Sequence, residues 1–303
     1  MSETYHLPVL LKSSINALVI DPGGTYVDAT FGGGGHSEEI LSRLNEHGRL
    51  YAFDQDIDAL ENARDDDRLK LVHGNFRYLK YFLKYMGIGQ LQGILADLGV
   101  SSYQLDAKTK GFSFVDSDVF DMRMNNRAAR TALDIVNHES EENLVNIFSS
   151  YGQVRNSKTL AKAIIATREQ RPISNTHEFL NCVEPQAMGN RARYLAQVFQ
   201  AIRIKVNDEI GALQDFLVAG ADMLVPGGRL VVLTYHSIED RIVKHFMKSG
   251  RTEDAENPLL SLNDQWILKP VNKKPILPDE REIKSNKRAR SAKLRIAEKI
   301  SIA

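Results

Sequence analysis

Four adjacent glycines follow a short apolar stretch near the start of the sequence. Gly32 to Gly35 come directly after Asp28-Ala29-Thr30-Phe31, and a helical pattern begins at Ser37. A glycine turn between a strand and a helix lets backbone amides approach a ligand closely, because glycine has no Cβ and tolerates positive φ. A second apolar stretch, 49–53, ends at Asp54, whose carboxylate is placed to bind ribose hydroxyls. The pattern predicts the start of a nucleoside-binding α/β domain.

The glycine turn departs from the spacing that is typical of dinucleotide binding. Ser37 stands where the third glycine would be, and the carboxylate of Asp28 would repel a pyrophosphate. An acidic residue at this strand end suits a cationic or zwitterionic ligand such as S-adenosylmethionine, which carries an ammonium and a sulfonium group. The alternative is a glycine-rich surface loop without a ligand, and the paired Asp54 argues against it.

The composition is that of an ordinary globular protein. The 303 residues are 43% hydrophobic and 26% charged with zero net charge, which allows one large domain or two modest ones. Cys182 is the only cysteine and cannot form an internal disulfide, which fits a reducing compartment. No secretory signal or membrane-length apolar stretch is evident, so we expect a cytoplasmic protein with no membrane partner.

The charge is unevenly distributed. Residues 269–303 contain 11 Lys and Arg against 4 Asp and Glu, and the rest of the sequence is correspondingly acidic. A basic segment of this kind either contacts nucleic acid or is merely solvated, and composition alone leaves both open.

Strand and helix patterns alternate through the first third of the sequence and then stop. Strands at 69–73 and 93–97, with helices around them, indicate βαβ units and a parallel sheet. Beyond Asp106 only loops and helices are predicted, and after a helix at 206–224 the strand pattern resumes at 229–234. We therefore predict one sheet domain interrupted by a helical domain. The predicted segments are 1–105 (first part of the sheet domain), 106–203 (inserted helical domain) and 204–303 (second part, with the basic tail).

Chemistry is expected at the carboxyl ends of the strands, where ligands bind in open α/β sheets. Asp97 is predicted to be catalytic, because an acidic residue here can orient an exocyclic amine whose lone pair is delocalised into its ring. Its alternative role is to cap the following turn. Phe76 either lies along an adenine or covers the core. His236 either handles a proton or is a hydrogen-bonded structural residue. No group of residues has metal-ligand spacing, so no metal is predicted.

Several motifs in a fixed order resemble the RsmH (MraW) family of rRNA cytosine-N4 methyltransferases. The most distinctive is Ala96-Asp-Leu-Gly-Val-Ser-Ser102 with Gln104-Leu105-Asp106. The other matching segments are His6 to Leu11, Asp28 to Ser37, Gly111 to Phe114, Asp121 to Met124, Phe199 to Ile204, Val206 to Glu209, His236 to Arg241 and Arg288 to Arg295. The resemblance covers nearly the whole sequence.

This resemblance implies an α/β fold of the class I SAM-dependent methyltransferases with an inserted helical domain for RNA recognition. It implies methyl transfer from S-adenosylmethionine to N4 of a cytidine in 16S rRNA, near the decoding P site of the small ribosomal subunit. The cofactor-binding residues that it implies are Gly34, Gly35, His36, Asp54, Phe76, Asp97 and Gln104. Asp97 thus has two candidate duties, cofactor contact and orientation of the target amine.

The sequence departs from the family in two regions. Ser13 and Gln153 replace the usual glutamates, and the Pro-Ala-Thr-Arg element that many members carry before Phe199 is absent. These changes affect the N-terminal segment and the insert, so they bear on RNA docking more than on cofactor binding.

Two other functions stay open. DNA amino-methyltransferases usually follow their acidic or amide residue with Pro-Pro-Tyr or Pro-Pro-Phe, whose aromatic ring stacks on the flipped base. Val100 occupies that aromatic position here, so stacking would fall to Phe112, Phe114 or Tyr235. The second alternative is a non-catalytic RNA-binding assembly protein, which would have little reason to keep the glycine turn together with two strand-end aspartates.

Overall fold

The computed structural model describes residues 8–101, 110–113, 118–252 and 266–301. The chain divides into two compact units. Residues 1–99 and 210–303 form the first, here called the sheet unit, and residues 100–209 form the second, here called the helical unit. These boundaries lie a few residues from the positions 105 and 203 that the sequence suggested.

The sheet unit is built on a seven-stranded sheet with the order β3-β2-β1-β4-β5-β7-β6. The first five strands pair in parallel, and β7 runs antiparallel to both β5 and β6. The strands are β1 (Thr25–Asp28), β2 (Arg49–Asp54), β3 (Leu69–His73), β4 (Leu91–Asp97), β5 (Leu224–Thr234), β6 (Leu268–Pro270) and β7 (Lys293–Lys299). The parallel sheet predicted from the βαβ pattern is confirmed, and the strand order is that of the class I methyltransferase fold.

The helices of the described residues are numbered here in chain order. They are α1 (Leu11–Leu18), α2 (Gly35–Arg43), α3 (Ile57–Leu60), α4 (Leu79–Tyr85), α5 (Ala132–His138), α6 (Glu141–Ser150), α7 (Ser157–Gln170), α8 (Thr176–Val183), α9 (Arg191–Asn207), α10 (Glu209–Met223), α11 (Ser237–Ser249) and α12 (Glu280–Ser285). No helix in the described ranges is both long and apolar enough to cross a membrane.

Alternate residues of the central strands enter two separate cores, one on each face of the sheet. Val27 and Ile94 belong to the cluster that contains residues of α4, α10 and α11. Their neighbours Tyr26 and Leu95 belong to the cluster that contains residues of α1 and α2. Burial on both faces explains why these strands are apolar throughout, as is usual for parallel strands between two helical layers.

The helical unit packs its helices around a core of stacked and tilted aromatic rings. Phe120 stacks on Phe179 with ring centroids 4.6 Å apart, and both rings contact Phe199 of α9. Side-chain caps define the helix starts: Thr131 and Asp134 form a capping box at α5, and Ser140 caps α6. The insert therefore has its own hydrophobic core.

Two sequence predictions near the return to the sheet are right in type but misplace a boundary. The helix expected at 206–224 is present as α10, and it begins at Glu209 because Asp208 adopts a positive φ of 47° that ends α9 just before it. Strand β5 begins at Leu224 and not at Arg229, and its pairing with β4 shifts register between Leu91 and Gly93. The helix α9 itself was not predicted.

Candidate active site

The strand ends that the sequence singled out share one edge of the sheet. Asp28 pairs in register with Leu95 of β4 and Ala52 of β2, and Asp97 pairs with Leu233 of β5. Asp54 ends β2, opposite the last residue of β3. Since these strands are parallel, the three aspartates lie at the carboxyl edge, where ligands bind in this type of fold.

Asp28 is fully buried and fixes the glycine turn from beneath. Its Oδ2 accepts a 2.7 Å hydrogen bond from the hydroxyl of Ser37, and its Oδ1 accepts a 3.1 Å bond from the amide of Thr30. Burial raises the pKa of Asp28 to about 6, although the nearby His36 and these two hydrogen bonds favour the ionised form. Ser37, which breaks the dinucleotide glycine spacing, thus has a definite structural partner.

The two glycines predicted to bind cofactor are required by the local structure. Gly34 precedes α2 with a φ of 79°, a left-handed conformation that favours glycine. A Cβ on Gly35 would lie 2.3 Å from Cγ of Pro8, so a side chain there would displace the N-terminal segment. The glycine turn therefore packs directly against the segment that contains Pro8. The first backbone amides of α2 have no partner within the helix, and such N-terminal amides bind anionic groups well.

Asp54 connects the glycine turn to the second strand. Its Oδ2 accepts a 2.8 Å hydrogen bond from the amide of Gly32, and its Oδ1 accepts a 2.9 Å bond from the amide of Asp56. Burial raises the pKa of Asp54, while these amide bonds oppose the shift. The amide of Gln55 also bonds to this carboxylate, and the two oxygens have four lone-pair positions in all, so acceptor capacity remains for a ribose hydroxyl.

Asp97 lies at the centre of a cluster of titratable groups. The Tyr235 hydroxyl donates a 2.6 Å hydrogen bond to its Oδ1, and Nδ1 of His36 lies 3.7 Å from its Oδ2. The Asp97 side chain remains 24% exposed. Burial raises the pKa of Asp97 to about 7, the bond from Tyr235 lowers it, and the charge of Glu239 raises it further. A carboxylate that is only partly ionised near neutral pH suits a group that exchanges a proton.

His36 is a buried neighbour of this cluster. Its Nε2 lies 3.2 Å from the backbone oxygen of Val9, and a contact of this kind requires the proton on Nε2. Burial lowers the pKa of His36, while the charge of Asp28 and the bond to Val9 oppose the shift, and Nδ1 faces Oδ2 of Asp97. The sequence assigned His36 to cofactor binding, and the structure adds a contact with the N-terminal segment.

His236 occupies the start of α11 and caps it. Its Nδ1 accepts a 3.4 Å contact from the amide of Glu239, whose carboxylate accepts bonds from the amides of Tyr235 and His236. The Nε2 of His236 lies 3.2 Å from Oε1 of the same glutamate. These contacts correspond to the structural alternative that the sequence left open, and a catalytic role for His236 stays a prediction.

Phe76 lies beyond β3 and is partly buried. Its ring meets Phe216 of α10 edge to face, with centroids 5.2 Å apart, and it packs against the main core of the sheet unit. This packing accounts for the apolar residue, and contact with an adenine stays a prediction. Gln104, the remaining cofactor residue of the prediction, lies outside the described residues, as do His6 and Phe114 of the matching motifs.

Tyr235 and Glu239 are the site residues that sequence reasoning did not assign. Tyr235 was only a candidate for base stacking, and Glu239 lay only within the matching segment His236 to Arg241. The structure joins Tyr235 to Asp97 through its hydroxyl and to Glu239 through its amide. The capping-box spacing from His236 to Glu239 could have predicted the contact of Glu239 with Tyr235. The contact of Tyr235 with Asp97 arises only because their two strands lie side by side.

The groups at this edge fit S-adenosylmethionine. The partly exposed Asp97 and the buried Asp28 are carboxylates whose charge burial disfavours, and a nearby sulfonium or ammonium cation would stabilise that charge. Asp54 offers a carboxylate acceptor for a ribose hydroxyl, and the amides at the start of α2 suit a carboxylate.

The helical unit presents cations on its surface. Arg155, Lys158 and Lys162 are exposed, and the two lysines lie four residues apart on one face of α7. The basic tail likewise leaves Arg290 exposed and Arg288 partly exposed on the 3-10 turn 287–291, which precedes β7.

Comparison with known proteins gives consistent matches along the chain. A family model described as the MraW methylase family matches residues 3–300. Proteins called ribosomal RNA small subunit methyltransferase H are similar to this chain: the one from Bacteroides thetaiotaomicron is 54% identical over 297 residues, and the one from Bacteroides fragilis is 53% identical over 297. The one from Flavobacterium johnsoniae is 48% identical over 299. Each alignment covers 98% of this chain and 98% of the relative. Because the match includes every strand end that carries the site, the chain belongs to the MraW methylase family.

Proposed function

We propose that this protein transfers the methyl group of S-adenosylmethionine to the N4 exocyclic amine of a cytidine in 16S rRNA, near the decoding P site. The observation that carries the proposal is the Asp97–Tyr235 pair beside the glycine turn. The similar proteins named as small-subunit rRNA methyltransferases support the polymer and the subunit. An rRNA substrate would also locate the protein in the cytoplasm.

The sheet unit holds the methyl donor in this proposal. S-adenosylmethionine supplies an electrophilic methyl group on a sulfonium. Asp54 binds the ribose hydroxyls, the glycine turn admits the methionine part, and Phe76 lies beside the adenine. The negative charge of Asp97, with Asp28 buried nearby, favours the cationic centre. His36 keeps the start of α2 joined to the segment that contains Val9.

Asp97 then acts on the acceptor. A cytidine amine is a weak nucleophile because its lone pair is delocalised into the ring, so an acceptor must orient its N–H bonds and localise the lone pair. Tyr235 holds Oδ1 of Asp97 and leaves Oδ2 for the substrate. With a pKa of about 7, Asp97 can accept the proton that the nitrogen loses on methylation.

The helical unit and the basic tail bind the RNA backbone. Arg155, Lys158 and Lys162 are exposed, so their positive charges can contact phosphates. Phosphate contacts position a nucleic acid without reading its sequence. Neutralising Arg288 and Arg290 should reduce the salt dependence of RNA binding. An unchanged salt slope would make these two arginines structural.

Nucleoside mass spectrometry tests the proposal in one step. Unmodified small ribosomal subunits, naked 16S rRNA and matched duplex DNA are incubated with the protein and labelled S-adenosylmethionine. Label in N4-methylcytidine from an RNA substrate, with none in DNA, is the expected result. Label in DNA would favour the DNA amino-methyltransferase. Failure to bind S-adenosylmethionine by calorimetry would favour the non-catalytic assembly protein.

A further inference from the structure

The most exposed aromatic side chains of the described residues lie on one helix. Tyr78, Tyr81 and Tyr85 are 52%, 75% and 93% exposed, and no other Tyr, Phe or Trp within the described ranges is as exposed as these three. Tyr78 ends the 3-10 turn Phe76–Tyr78, which runs directly into α4. We call these three residues the tyrosine face.

The helical segment from Phe76 to Tyr85 has three distinct sides. Leu79 and Leu83 are fully buried in the core of the sheet unit, on one side. At 100° per residue, the tyrosine face spans about 60° of the remaining surface. An adjoining sector of about 60° holds three cations, here called the basic stripe: Arg77, Lys80 and Lys84. Aromatic rings and positive charges are therefore neighbours along the same surface.

Neither packing nor helix propensity explains the tyrosines. In the described part of the chain, no ring contact or hydrogen bond joins the side chain of Tyr81 or Tyr85 to another residue. Tyrosine also forms helices less readily than lysine or glutamate, which suit exposed positions better. Two large rings kept in solvent on consecutive turns indicate a surface that another molecule covers.

The sequence around this face carries one sign of charge, and the acidic groups that meet it come from α10. Five Lys and Arg and no Asp or Glu lie between Asp67 and Asp97 in the sequence. Two cations of the basic stripe are oriented by α10: Arg77 pairs with Asp215 at 2.8 Å, and Lys80 with Asp222 at 2.6 Å. Lys84 has no ion-pair partner among the residues that the structure describes. Lys84 is therefore the cation of the basic stripe that suits a phosphate group.

We propose that the tyrosine face binds a single-stranded part of the RNA substrate, with bases stacked on Tyr81 and Tyr85 and a phosphate paired with Lys84. This inference rests on the proposed function, which supplies an RNA partner. Rings interleaved with cations are the usual means of binding unpaired nucleotides. The two rings are about 6 Å apart along the helix axis, so each can stack on a different base.

The position of the segment links this surface to the active site. Phe76 begins it three residues after the end of β3 at His73, so the helical segment starts at the carboxyl edge that carries Asp54, and Tyr78 is the member of the tyrosine face nearest to that start. A strand of RNA on this face would flank the target nucleotide and leave the cytidine free to enter the site.

The test compares two matched double variants of the full chain, Tyr81→Ala with Tyr85→Ala and Tyr81→Phe with Tyr85→Phe. The probes are a short single-stranded oligocytidine and a duplex RNA of the same length. We expect the alanine pair to weaken single-strand binding about 30-fold, since each stacked base contributes strongly, and the phenylalanine pair to change it by less than about twofold. Lys84→Ala should lower the slope of log affinity against log salt by about 0.7. Affinity for S-adenosylmethionine should be unchanged in every variant.

Wild-type affinity in the alanine pair would overturn the inference. Equal losses in the alanine and phenylalanine pairs would also overturn it, because the hydroxyls and not the rings would then be responsible. Unchanged RNA binding with altered self-association or altered binding of a ribosomal protein would assign the face to a protein partner instead. Methylation of small subunits by the wild-type chain is measured in parallel. An absence of methylation would contradict the proposed function. The comparison of oligonucleotide affinities tests base stacking on Tyr81 and Tyr85 independently of that result.

Discussion

The strand ends of the sheet unit and the helix starts of the helical unit differ in how they hold their carboxylates. At the strand ends of the sheet unit, burial raises the pKa of Asp28 to about 6 and that of Asp97 to about 7. In the helical unit, hydrogen bonds from Thr131 lower the pKa of Asp134. Burial there disfavours the charge of Glu139, but bonds from Asn143 and Arg130 outweigh it and lower the pKa. The strand ends hold charges that burial disfavours, whereas Asp134 and Glu139 of the helical unit hold charges that their hydrogen bonds favour.

This difference separates the roles of the two units. Groups that are kept in an unfavourable state reduce stability and are retained where a ligand or a reaction uses them. Groups whose ionised form is hydrogen bonded contribute to stability directly. The chemistry therefore belongs to the strand ends, while the interior polar groups of the helical unit hold its helices together and leave its surface for binding.

The largest effect is expected for Asp97→Asn, which should slow methyl transfer about a thousandfold because the proton acceptor is lost. The same variant should raise Tm by about 3 °C at pH 8. The folded-state pKa of Asp97 is raised from 3.8 to about 7, so this residue reduces stability progressively as the pH rises from 3.8 to about 7, and the gain from its removal should shrink towards acid pH. Calorimetry across this pH range measures the change.

Asp134→Asn in the helical unit is the matched control. The pKa of Asp134 is lowered, so we expect Tm to fall and the rate of methyl transfer to stay near that of the wild type. If Asp97→Asn also lowers Tm relative to the wild type at pH 8, the proposed difference between strand-end carboxylates and those of the helical unit would be contradicted.

Asp54→Ala should weaken binding of S-adenosylmethionine about 100-fold, because it removes the acceptors for the ribose and releases the amides of Gly32 and Asp56. Asp54→Asn keeps an acceptor for one of these amides and should lose only about tenfold. Isothermal calorimetry gives both affinities. Normal affinity with a reduced rate in the alanine variant would mean that the role given to Asp54 is wrong.

Tyr235→Phe should lower the turnover rate about tenfold and leave cofactor affinity unchanged. The hydroxyl of Tyr235 lowers the pKa of Asp97. Without it that pKa rises, so the acid limb of the pH–rate profile should move to higher pH. A limb that does not move would show that Asp97 is not the group whose ionisation controls the rate.

The smallest effect is expected for Glu139→Gln, with a loss of about 3 °C in Tm at pH 7. Glu139 accepts bonds from Arg130 and Asn143, and its depressed pKa means that this stabilisation is lost as the pH falls through the folded-state value. The difference from wild type should thus disappear in acid. Cofactor affinity should be unaffected, and a weakened affinity would undo the separation of roles.

The parallel sheet was predictable because its strands are apolar on both faces and end at Asp28, Asp54 and Asp97, which have no place inside a sheet. The helix α9 was not predictable, because its basic and polar residues give no clear start signal. Asn190 caps the helix by accepting a bond from the amide of Arg193, and asparagine alone does not specify that role. The break between α9 and α10 rests on one positive φ at Asp208, which neighbouring residues do not specify.

The site was predictable as a set of strand ends but not as a network. Sequence spacing suggested separate duties for the glycine turn and Asp54, and the amide bond from Gly32 that joins them comes from two strands meeting side by side. Tyr235 and Asp97 are 138 residues apart, and only the sheet brings them together. His236 shows the converse, since its structural alternative needs no distant partner and corresponds to capping contacts with Glu239, three residues away.

The interruption of the sheet unit has a consequence for folding order. The helical unit is one continuous stretch of chain, so its contacts close short loops and can form early. The pairing of β4 with β5 joins residues more than a hundred positions apart and carries a larger entropic cost of closure. We therefore expect amide protection in pulse-labelled refolding to develop in α5 to α9 before it develops in β5, so that the edge holding Asp97 and Tyr235 is the last part of the molecule to be completed.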